Sequence, residues 1–408
     1  MERDLAGLIM LTTAVAGRAA FSAFALACGA FTFVFAVAAA VFSRRFLLAR
    51  ASRAAAPLPP ITVIKPLKGE DHDLVENLAS FCRQDYPCYQ ILFCLASPDD
   101  PALASVSRLK KEFPEADIEV VVSKNRIGCN PKVNNMANAY PFAKYDLLLM
   151  SDSDIKVEPG FLRRMAAPFA EPAVGLTTSF YQASGARGLW GSMEALSINA
   201  HFLPQAACAA YFGMRFAMGA AMMVRRRAFE ETGAFQNLAD HLADDFRLGE
   251  SVREAGWRVE TAEGIVDSIP GIGSAAGHLA HMIRWARTIR LCQPAGFYAS
   301  LIQHGFSLLT LRLLVQGPDA AGAALLAGIW AAKAASALSL RAGLGGRQPA
   351  LALFLLPLSE WFAFAAWVAA CGSDTVVWRG ELFHVREQGQ LEPVAPPPAV
   401  RHALPAER

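Results

Sequence analysis

The chain has 408 residues, 54% of them hydrophobic, a positive mean hydropathy and a net charge of only +2. That length accommodates two or three domains, and that apolar content points to membrane segments rather than a purely soluble protein. The charge balance excludes an overall field for nucleic acid, and eight cysteines without a C-x-x-C pair give no zinc or disulfide framework, so reduced cytosolic thiols are expected.

Residues 1–19 are moderately apolar, with Arg18 as a break. Ala20 to Phe42 is an uncharged run long enough to cross a bilayer, for which ~20 apolar residues suffice. Arg44, Arg45, Arg50 and Arg53 follow, and the positive-inside rule puts what comes next in the cytosol. The run is too long and too far from the start for the core of a cleaved signal peptide. Ala54 to Pro60 reads as a short stiff linker.

The pattern then turns α/β. Strands are expected at Ile61 to Ile64, Gln90 to Ala96 and Ile118 to Val122, and helices at Asp73 to Arg83, Ala102 to Phe113 and Val133 to Ala143. This alternation implies a parallel sheet with helices on both faces. The fourth strand lies in YDLLLMSDSDIKV, Tyr145 to Val157, where a continuous apolar run reads as a strand buried on both faces. The run ends in Ser151-Asp152-Ser153-Asp154, at the carboxyl end of a strand, where open α/β sheets bind ligands. In a strand-like D-x-D both carboxylates point the same way. Two such hard oxygen ligands suit Mg²⁺ or Mn²⁺ carrying a diphosphate. Seen alone, the same residues read equally well as a polar turn or a helix cap.

Beyond this point a helix is expected at Pro159 to Phe169, a strand at Val174 to Phe180, a helix at Trp190 to Leu203, and strands at Ala217 to Val224 and Gly264 to Ile269. After Pro294 the chain is apolar again. Gly296 to Val315 carries His304 and Arg312, which suits the interface or a cavity wall, while Ala320 to Leu340 and Ala350 to Cys371 look like spans. Glu360 in the last of these is expected to face protein. From Val377 the tail is polar, Pro-rich and expected to be poorly ordered near its end. The resulting domains are an anchor over 1–53, a cytosolic domain over 54–292, interfacial and membrane helices over 293–376, and a tail over 377–408.

The chemistry-bearing residues are Asp100 at the tip of the second strand, Asp152 and Asp154, the pair Asp244 and Asp245 opening a helix, and the basic-aromatic cluster His281 to Arg290. Each has a plain structural reading. Asp100 in D-D-P is a turn former, Asp244 and Asp245 suit a first helical turn, and Arg284-Trp285 suits an interfacial anchor. Lys65 and Lys68 read as solvated loop charges, and His201, His241 and His278 as locally satisfied histidines.

Together these stretches resemble a known family. KPLKGEDHDLVENLASFCRQDYP (Lys65 to Pro87), PDDPA (Pro98 to Ala102), GCNPKVNN (Gly128 to Asn135), KYDLLLMSDSDIKV (Lys144 to Val157), ADDF (Ala243 to Phe246) and HMIRW (His281 to Trp285) occur in the order of the inverting glycosyltransferases of family 2. The resemblance is to the ceramide glucosyltransferases and the hopanoid-associated glycosyltransferases among them. It implies an α/β fold of the GT-A type, a Rossmann-like, mostly parallel sheet flanked by helices, between N-terminal and C-terminal transmembrane helices.

Carried over to these positions, Asp100 would contact the uracil and ribose side of a UDP-sugar. Asp152 would hold the sugar or ribose, and Asp154, with Asp152 beside it, the divalent metal. Asp245 would be the general base, with Asp244 on the substrate side of it. Arg284 and Trp285 would close over the diphosphate and the acceptor. Lys65 would serve the nucleotide, and His201 falls where the ceramide enzymes place a His near the acceptor. His281 departs from the usual Gln or Arg of the (Q/R)-x-x-R-W pattern, while Asp154 keeps the second acid of D-x-D that ceramide enzymes often lack. The implied activity moves one hexose, glucose or N-acetylglucosamine, from a UDP-sugar to a lipid hydroxyl, with ceramide the first acceptor and a hopanoid polyol the second. The setting would be a bacterial-type cytoplasmic membrane crossed several times, with the catalytic domain in the cytosol. A processive polysaccharide synthase fits less well, because such enzymes carry more spans and a Gln at the place of His281. The acceptor entrance is expected between Phe202, Leu203, Phe212 and the apolar stretch after Pro294.

Overall fold

A computed structural model describes residues 2–48, 58–345, 350–378 and 381–394. Arg50, Arg53, the start of the expected linker and the last part of the tail lie outside the described residues. The chain opens with one long helix, α1 (Glu2–Leu48). Arg18, expected as a break, does not interrupt it, since arginine interrupts hydropathy but is a good helix former.

The α/β part follows as β1 (Ile61–Pro66), α2 (Leu74–Cys82), β2 (Tyr89–Leu95), α3 (Ala102–Glu112), β3 (Ile118–Val122), α4 (Pro131–Ala139), β4 (Leu147–Ser151), β5 (Ile155–Lys156), α5 (Phe161–Ala166) and β6 (Val174–Ala183). Then come α6 (Gly188–Leu196), α7 (Leu203–Tyr211), β7 (Ala221–Arg225), α8 (Arg226–Glu231), α9 (Asp244–Glu254), β8 (Arg258–Ser268) and α10 (Ala275–Cys292). The eight strands form one sheet in the order β3-β2-β1-β4-β7-β6-β8-β5. β3, β2, β1 and β4 are mutually parallel, and β6 runs parallel to β8. β7 is antiparallel to both its neighbours, and β5 to β8, so the sheet is mixed but mostly parallel.

The apolar run of β4 is buried on both faces, as expected. Leu147 and Leu149 pack into one core with Phe81 and Phe93, and Leu148 and Met150 into the other with Val133 and Phe229. Each such side chain contributes roughly 1.5–3 kcal/mol by leaving water. This double burial fixes the strand at the centre of the sheet and sets the height at which its polar end emerges.

The expected single helix over Trp190 to Leu203 is two helices, α6 and α7, joined by a π-helical stretch, Ser197–Phe202. The wider π turn re-aims His201 and Phe202, a distortion frequent at functional sites.

The C-terminal part comprises α11 (Pro294–Ala299), α12 (Gly305–Gln316), α13 (Ala320–Leu344), α14 (Leu356–Ala370), β9 (Thr375–Trp378), β10 (Glu381–Val385) and β11 (Leu391–Pro393). α12 runs antiparallel along α1: the Gly305 amide donates to Thr32 Oγ1, Arg312 to Ser22 Oγ and Gln316 to the Arg18 carbonyl. The close approach needs glycine, for a Cβ on Gly305 would lie 2.3 Å from the Cys28 carbonyl oxygen. α13 returns parallel to α1, with Gly328 against Phe33, Ser339 bonded to Arg44 and Gly343 against Leu48. α14 lies beside α10: Phe362 packs on His278, and just past its end Asp374 pairs with Arg290. Among the described residues three helical segments are long and apolar enough to cross a membrane, Ala16–Leu48, Ala320–Leu344 and Ala352–Ala370.

Residues expected as the start of a polar tail are folded. β9, β10 and β11 form an antiparallel sheet, and Val376, Phe383, Val385 and Leu391 bury one face of it against Leu242. The period-two pattern is hidden in the sequence because the exposed face also carries the apolar Val377 and Leu382.

Candidate active site

β4 ends at Ser151, and Asp152 to Asp154 form a turn between β4 and β5 rather than a continued strand. The expectation that strand alternation aligns the two carboxylates is therefore replaced. Ile155 donates its amide to the Asp152 carbonyl at 3.3 Å, closing the turn, and the Ser153 hydroxyl points away to Asp71. Asp152 reaches α4, where Lys132 Nζ lies 2.8 Å from its Oδ1. Asp154 reaches β8, accepting from Ser268 Oγ at 2.8 Å.

Lys65 sits beneath this turn. It was expected in the loop after β1 but belongs to the strand and is fully buried. Its ammonium donates to Ser151 Oγ at 3.3 Å and to the Asp152 carbonyl, and lies 4.0 Å from the centre of the Phe81 ring. Burial lowers its pKa to about 7 against the opposing pull of Asp154 and Asp152. A solvated loop charge is thus ruled out, and the side chain holds the acidic turn from below.

The acids from the separate segments converge. Lys132 Nζ also lies 3.2 Å from Asp244 Oδ2, at the start of α9. Asp245 beside it accepts the Gly219 amide on Oδ2 and the Phe246 amide on Oδ1, both at 2.8 Å, which fixes its carboxylate plane. Gly219 marks the meeting point. A Cβ there would lie 3.2 Å from Asp245 Oδ2, 3.4 Å from Lys132 Nζ and 3.6 Å from Asp152 Oδ2. Burial pushes the Lys132 ammonium down, but Asp152 and Asp244 outweigh it and raise its pKa well above the usual value. Burial raises the Asp244 carboxyl to about 6, with Lys132 opposing and Asp245 adding. Burial and then Asp152 raise that of Asp154 to about 6 as well.

Asp100 takes the turn-forming place that its sequence suggests. Its oxygens accept the Gly69 amide at 3.0 and 3.2 Å, and Oδ1 accepts the Ala102 amide at 3.0 Å. It therefore starts α3 and ties down the loop after β1 at the same rim of the sheet.

The helix α10 brings His281, Arg284 and Trp285 to the other wall. The His281 ring lies 4.8 Å from that of Trp285, and Trp285 lies 6.3 Å from Phe202. Phe202 stacks at 5.0 Å on Tyr181, whose hydroxyl pKa is raised well above its usual value by burial and then by Asp245 and Asp154. Glu194, which no sequence pattern singled out, holds two histidines of this helix: His278 Nδ1 is 2.8 Å from its Oε2 and His281 Nδ1 2.9 Å from its Oε1. Burial raises the Glu194 carboxyl, but the two histidines outweigh that and hold it at about 2. His201 is not brought to the acids. It meets Ser359 Oγ at 3.1 Å and Glu360 Oε1 at 3.5 Å, beside Lys333 of α13. Glu360 faces protein, paired with Lys333.

Lys132, Glu194, Tyr181 and Gly219 were all missed by sequence reasoning. Lys132 lay within the quoted GCNPKVNN stretch, and its position just after a helix-opening Asn-Pro was the available signal. As to a metal, the oxygen donor set of Asp152 and Asp154 fits a hard divalent cation. Lys132 already offsets Asp152 and Asp244, whereas for Asp154 the Ser268 hydroxyl and the Lys65 charge offset burial only in part, and its carboxyl stays raised. Among the described residues no cluster of three or more His, Cys, Asp or Glu could hold a metal by itself.

An acidic turn at the carboxyl end of the central parallel strand, a second acid pair on a facing helix and this strand order define a GT-A glycosyltransferase. A solved structure with this fold is the mannosyltransferase PcManGT from Pyrobaculum calidifontis in complex with GDP-Man and Mn²⁺, with a TM-score of 0.51 and 18% identity over 86% of this chain and 97% of that one. The chain belongs to Glycosyl transferase family 21, the ceramide glucosyltransferase family, whose model matches residues 22–391. It is 25% identical to ceramide glucosyltransferase 3 of Caenorhabditis elegans over 352 residues, 82% of this chain and 75% of the relative. Over 116 residues it is 36% identical to the ceramide glucosyltransferase of Candida albicans, covering 25% of this chain and 21% of that one. The chain spans less than half the length of the second C. elegans relative, ceramide glucosyltransferase 1.

Proposed function

We propose that this glycosyltransferase moves one hexose, with inversion, from a UDP-sugar to the primary hydroxyl of a membrane lipid, and that the lipid is ceramide. The observation that carries the reading is the meeting of Asp152, Lys132 and Asp245 within 3.2–3.6 Å of one point at Gly219. Ceramide is supported by the names of the relatives. A hopanoid polyol is the alternative acceptor.

In this reading Asp100 and the Gly69 loop take the uridine, and Asp152 orients ribose or sugar. Asp154 and Asp152 would hold Mg²⁺ or Mn²⁺. When bound, that cation supplies charge stabilisation to the diphosphate. A lipid alcohol is a poor nucleophile at neutral pH, so a carboxylate within hydrogen-bond reach must take its proton as the bond forms. Asp245 accepts that proton as the alcohol oxygen joins the anomeric carbon and the bond to the UDP oxygen breaks. Its two amide donors keep the carboxylate aimed. Arg284 stabilises the charge on the departing diphosphate, and Trp285, Phe202 and Tyr181 exclude water, which guards the donor against hydrolysis. Lys65 serves the nucleotide through the turn that it holds. His201, placed among the membrane helices, borders the acceptor side.

The membrane arrangement supports a lipid acceptor. The C-terminal sheet pairs with the catalytic domain, which supports placing the tail on its side of the membrane and the start of α1 on the other. The membrane would be the cytoplasmic membrane of a bacterial-type cell, with the catalytic domain in the cytosol.

The test is incubation of membranes containing the protein with labelled UDP-glucose or UDP-N-acetylglucosamine and either ceramide or a hopanoid polyol. A labelled monoglycosyl ceramide is expected. A labelled hopanoid alone would transfer the assignment to the alternative, a polymer would favour a synthase, and no labelled lipid with any pairing would overturn the reading.

A further inference from the structure

The sheet β9–β11 is attached to the segment that delivers the acid pair. Leu391 donates its amide to the Asp240 carbonyl at 2.6 Å, Leu242 donates to the Gly389 carbonyl at 2.9 Å, and His241 bridges to Gln390 between them. Asp240 to Leu242 is thus joined to the sheet by an isolated antiparallel bridge, and it leads through Ala243 directly into Asp244 and Asp245. The Leu242 side chain is buried among Val376, Phe383, Val385 and Leu391.

The same short segment also grips the loop before α4. Asp240 Oδ1 accepts the Cys129 amide at 2.8 Å, and Asn130 donates its side-chain amide to the His241 carbonyl and its backbone amide to the Ala239 carbonyl, each at 2.8 Å. Asn130 in turn caps α4 by accepting the Val133 amide, and Lys132 stands inside that first turn. Gly128 abuts Ala239 so closely that a Cβ there would lie 2.6 Å from its carbonyl oxygen, so neither loop can shift without the other. The first strand of the sheet is tied to the far end of α10, where Arg287 donates to the Thr375 carbonyl at 2.6 Å and Arg290 pairs with Asp374.

We infer that the β9–β11 sheet is a clamp that positions the catalytic acids, setting Asp244–Asp245 against Lys132 and against the helix that carries Arg284 and Trp285. The residues Leu391, Phe383 and Asp240 are positioning residues in this device. The inference rests on the proposed role of Asp245 as base. It differs from a plain stability role in what a fault would do. Loss of folded protein lowers sugar transfer and donor hydrolysis in the same proportion. A displaced acid pair lowers transfer while the donor still binds and is still hydrolysed, because a shift of ~1 Å at a reacting centre can cost 10²-fold.

The experiment uses the full chain in lipid nanodiscs, with Leu391→Asp, which puts a charge into the seat of Leu242, and the milder Phe383→Ala in case the first fails to accumulate. Transfer to ceramide, hydrolysis of UDP-glucose and donor KM are measured together. The clamp predicts a fall of about tenfold or more in the ratio of transfer to hydrolysis, a donor KM within about threefold of wild type, and recovery of the ratio in Leu391→Met. An unchanged ratio in the variant that folds, whether activity falls or not, overturns it. Asp245→Asn is run alongside: if that variant keeps its turnover, the assignment of the base fails, whatever the clamp variants do.

Discussion

Lys132 and Asp152 are joined at 2.8 Å across the mouth of the sheet, and the same ammonium reaches Asp244 at 3.2 Å. This link is what turns two acidic motifs separated by some ninety positions into one site. Removing the cation by Lys132→Met leaves Asp244, which is 8% exposed, without its partner. The expected loss is about 2 kcal/mol, below the 3–5 of a fully buried pair because Asp152 opens to the cleft. Thermal unfolding of the variant in detergent checks this, and a midpoint equal to wild type contradicts it.

Asp245→Asn keeps the shape and one of the two amide contacts, since its side-chain NH2 cannot accept, and removes the proton acceptor. Transfer is expected to fall 10²–10⁴-fold with donor KM little changed. Initial rates across donor concentrations measure both. A loss confined to KM would make Asp245 a binding residue.

The pH dependence follows from Asp154. Its carboxyl is raised in the folded protein to about 6, by burial first and then by Asp152. The folded state therefore holds a proton that the unfolded chain has already released between about pH 4 and 6, so without a cation the group detracts from stability as pH rises through that window. A divalent cation needs the ionised form. The stabilisation given by Mn²⁺ is expected to be large at pH 7.5 and to fade below pH 6, and chelation should abolish transfer. Melting curves with Mn²⁺ or chelator at both pH values test it, and an equal shift at both contradicts it.

Much of this was legible in the sequence. The central strand announced itself because Leu147 to Met150 are apolar without alternation, and only a strand covered on both faces needs that. Asp244 and Asp245 were singled out by ADDF in the family resemblance, while their place at the start of a helix gave only the plain structural reading. What escaped depends on contacts between distant segments. Lys65-Pro66 reads as a loop, yet Lys65 is buried because Ser151 and the Asp152 carbonyl stand opposite it. The role of Glu194 comes from two histidines more than eighty positions away. The strands β9 to β11 are too short to announce themselves, with the apolar Val377 and Leu382 blurring their alternation, and they are held by Leu242 rather than by each other alone.

Glu194 carries a further expectation. Held at about 2 by His278 and His281 against burial, it contributes stability above its unfolded pKa of about 4.3, and that contribution is lost as pH falls from there toward 2. Glu194→Ala removes the shared acceptor of both rings and should cost about 1–3 kcal/mol at pH 7, with a smaller difference from wild type near pH 3. Denaturant unfolding at the two pH values checks the sign.

In the proposed reaction the converging aspartates deliver a lipid hydroxyl in line to the anomeric carbon of one bound UDP-sugar. The most direct measurement is proton NMR of the lipid made by the purified protein from UDP-α-glucose and ceramide, read at the anomeric coupling. A single β-linked glucose on ceramide, formed at least about 10²-fold more slowly with Asp245→Asn, is the predicted result. An α-linked product, a chain of sugars, or no glycolipid at all would contradict it.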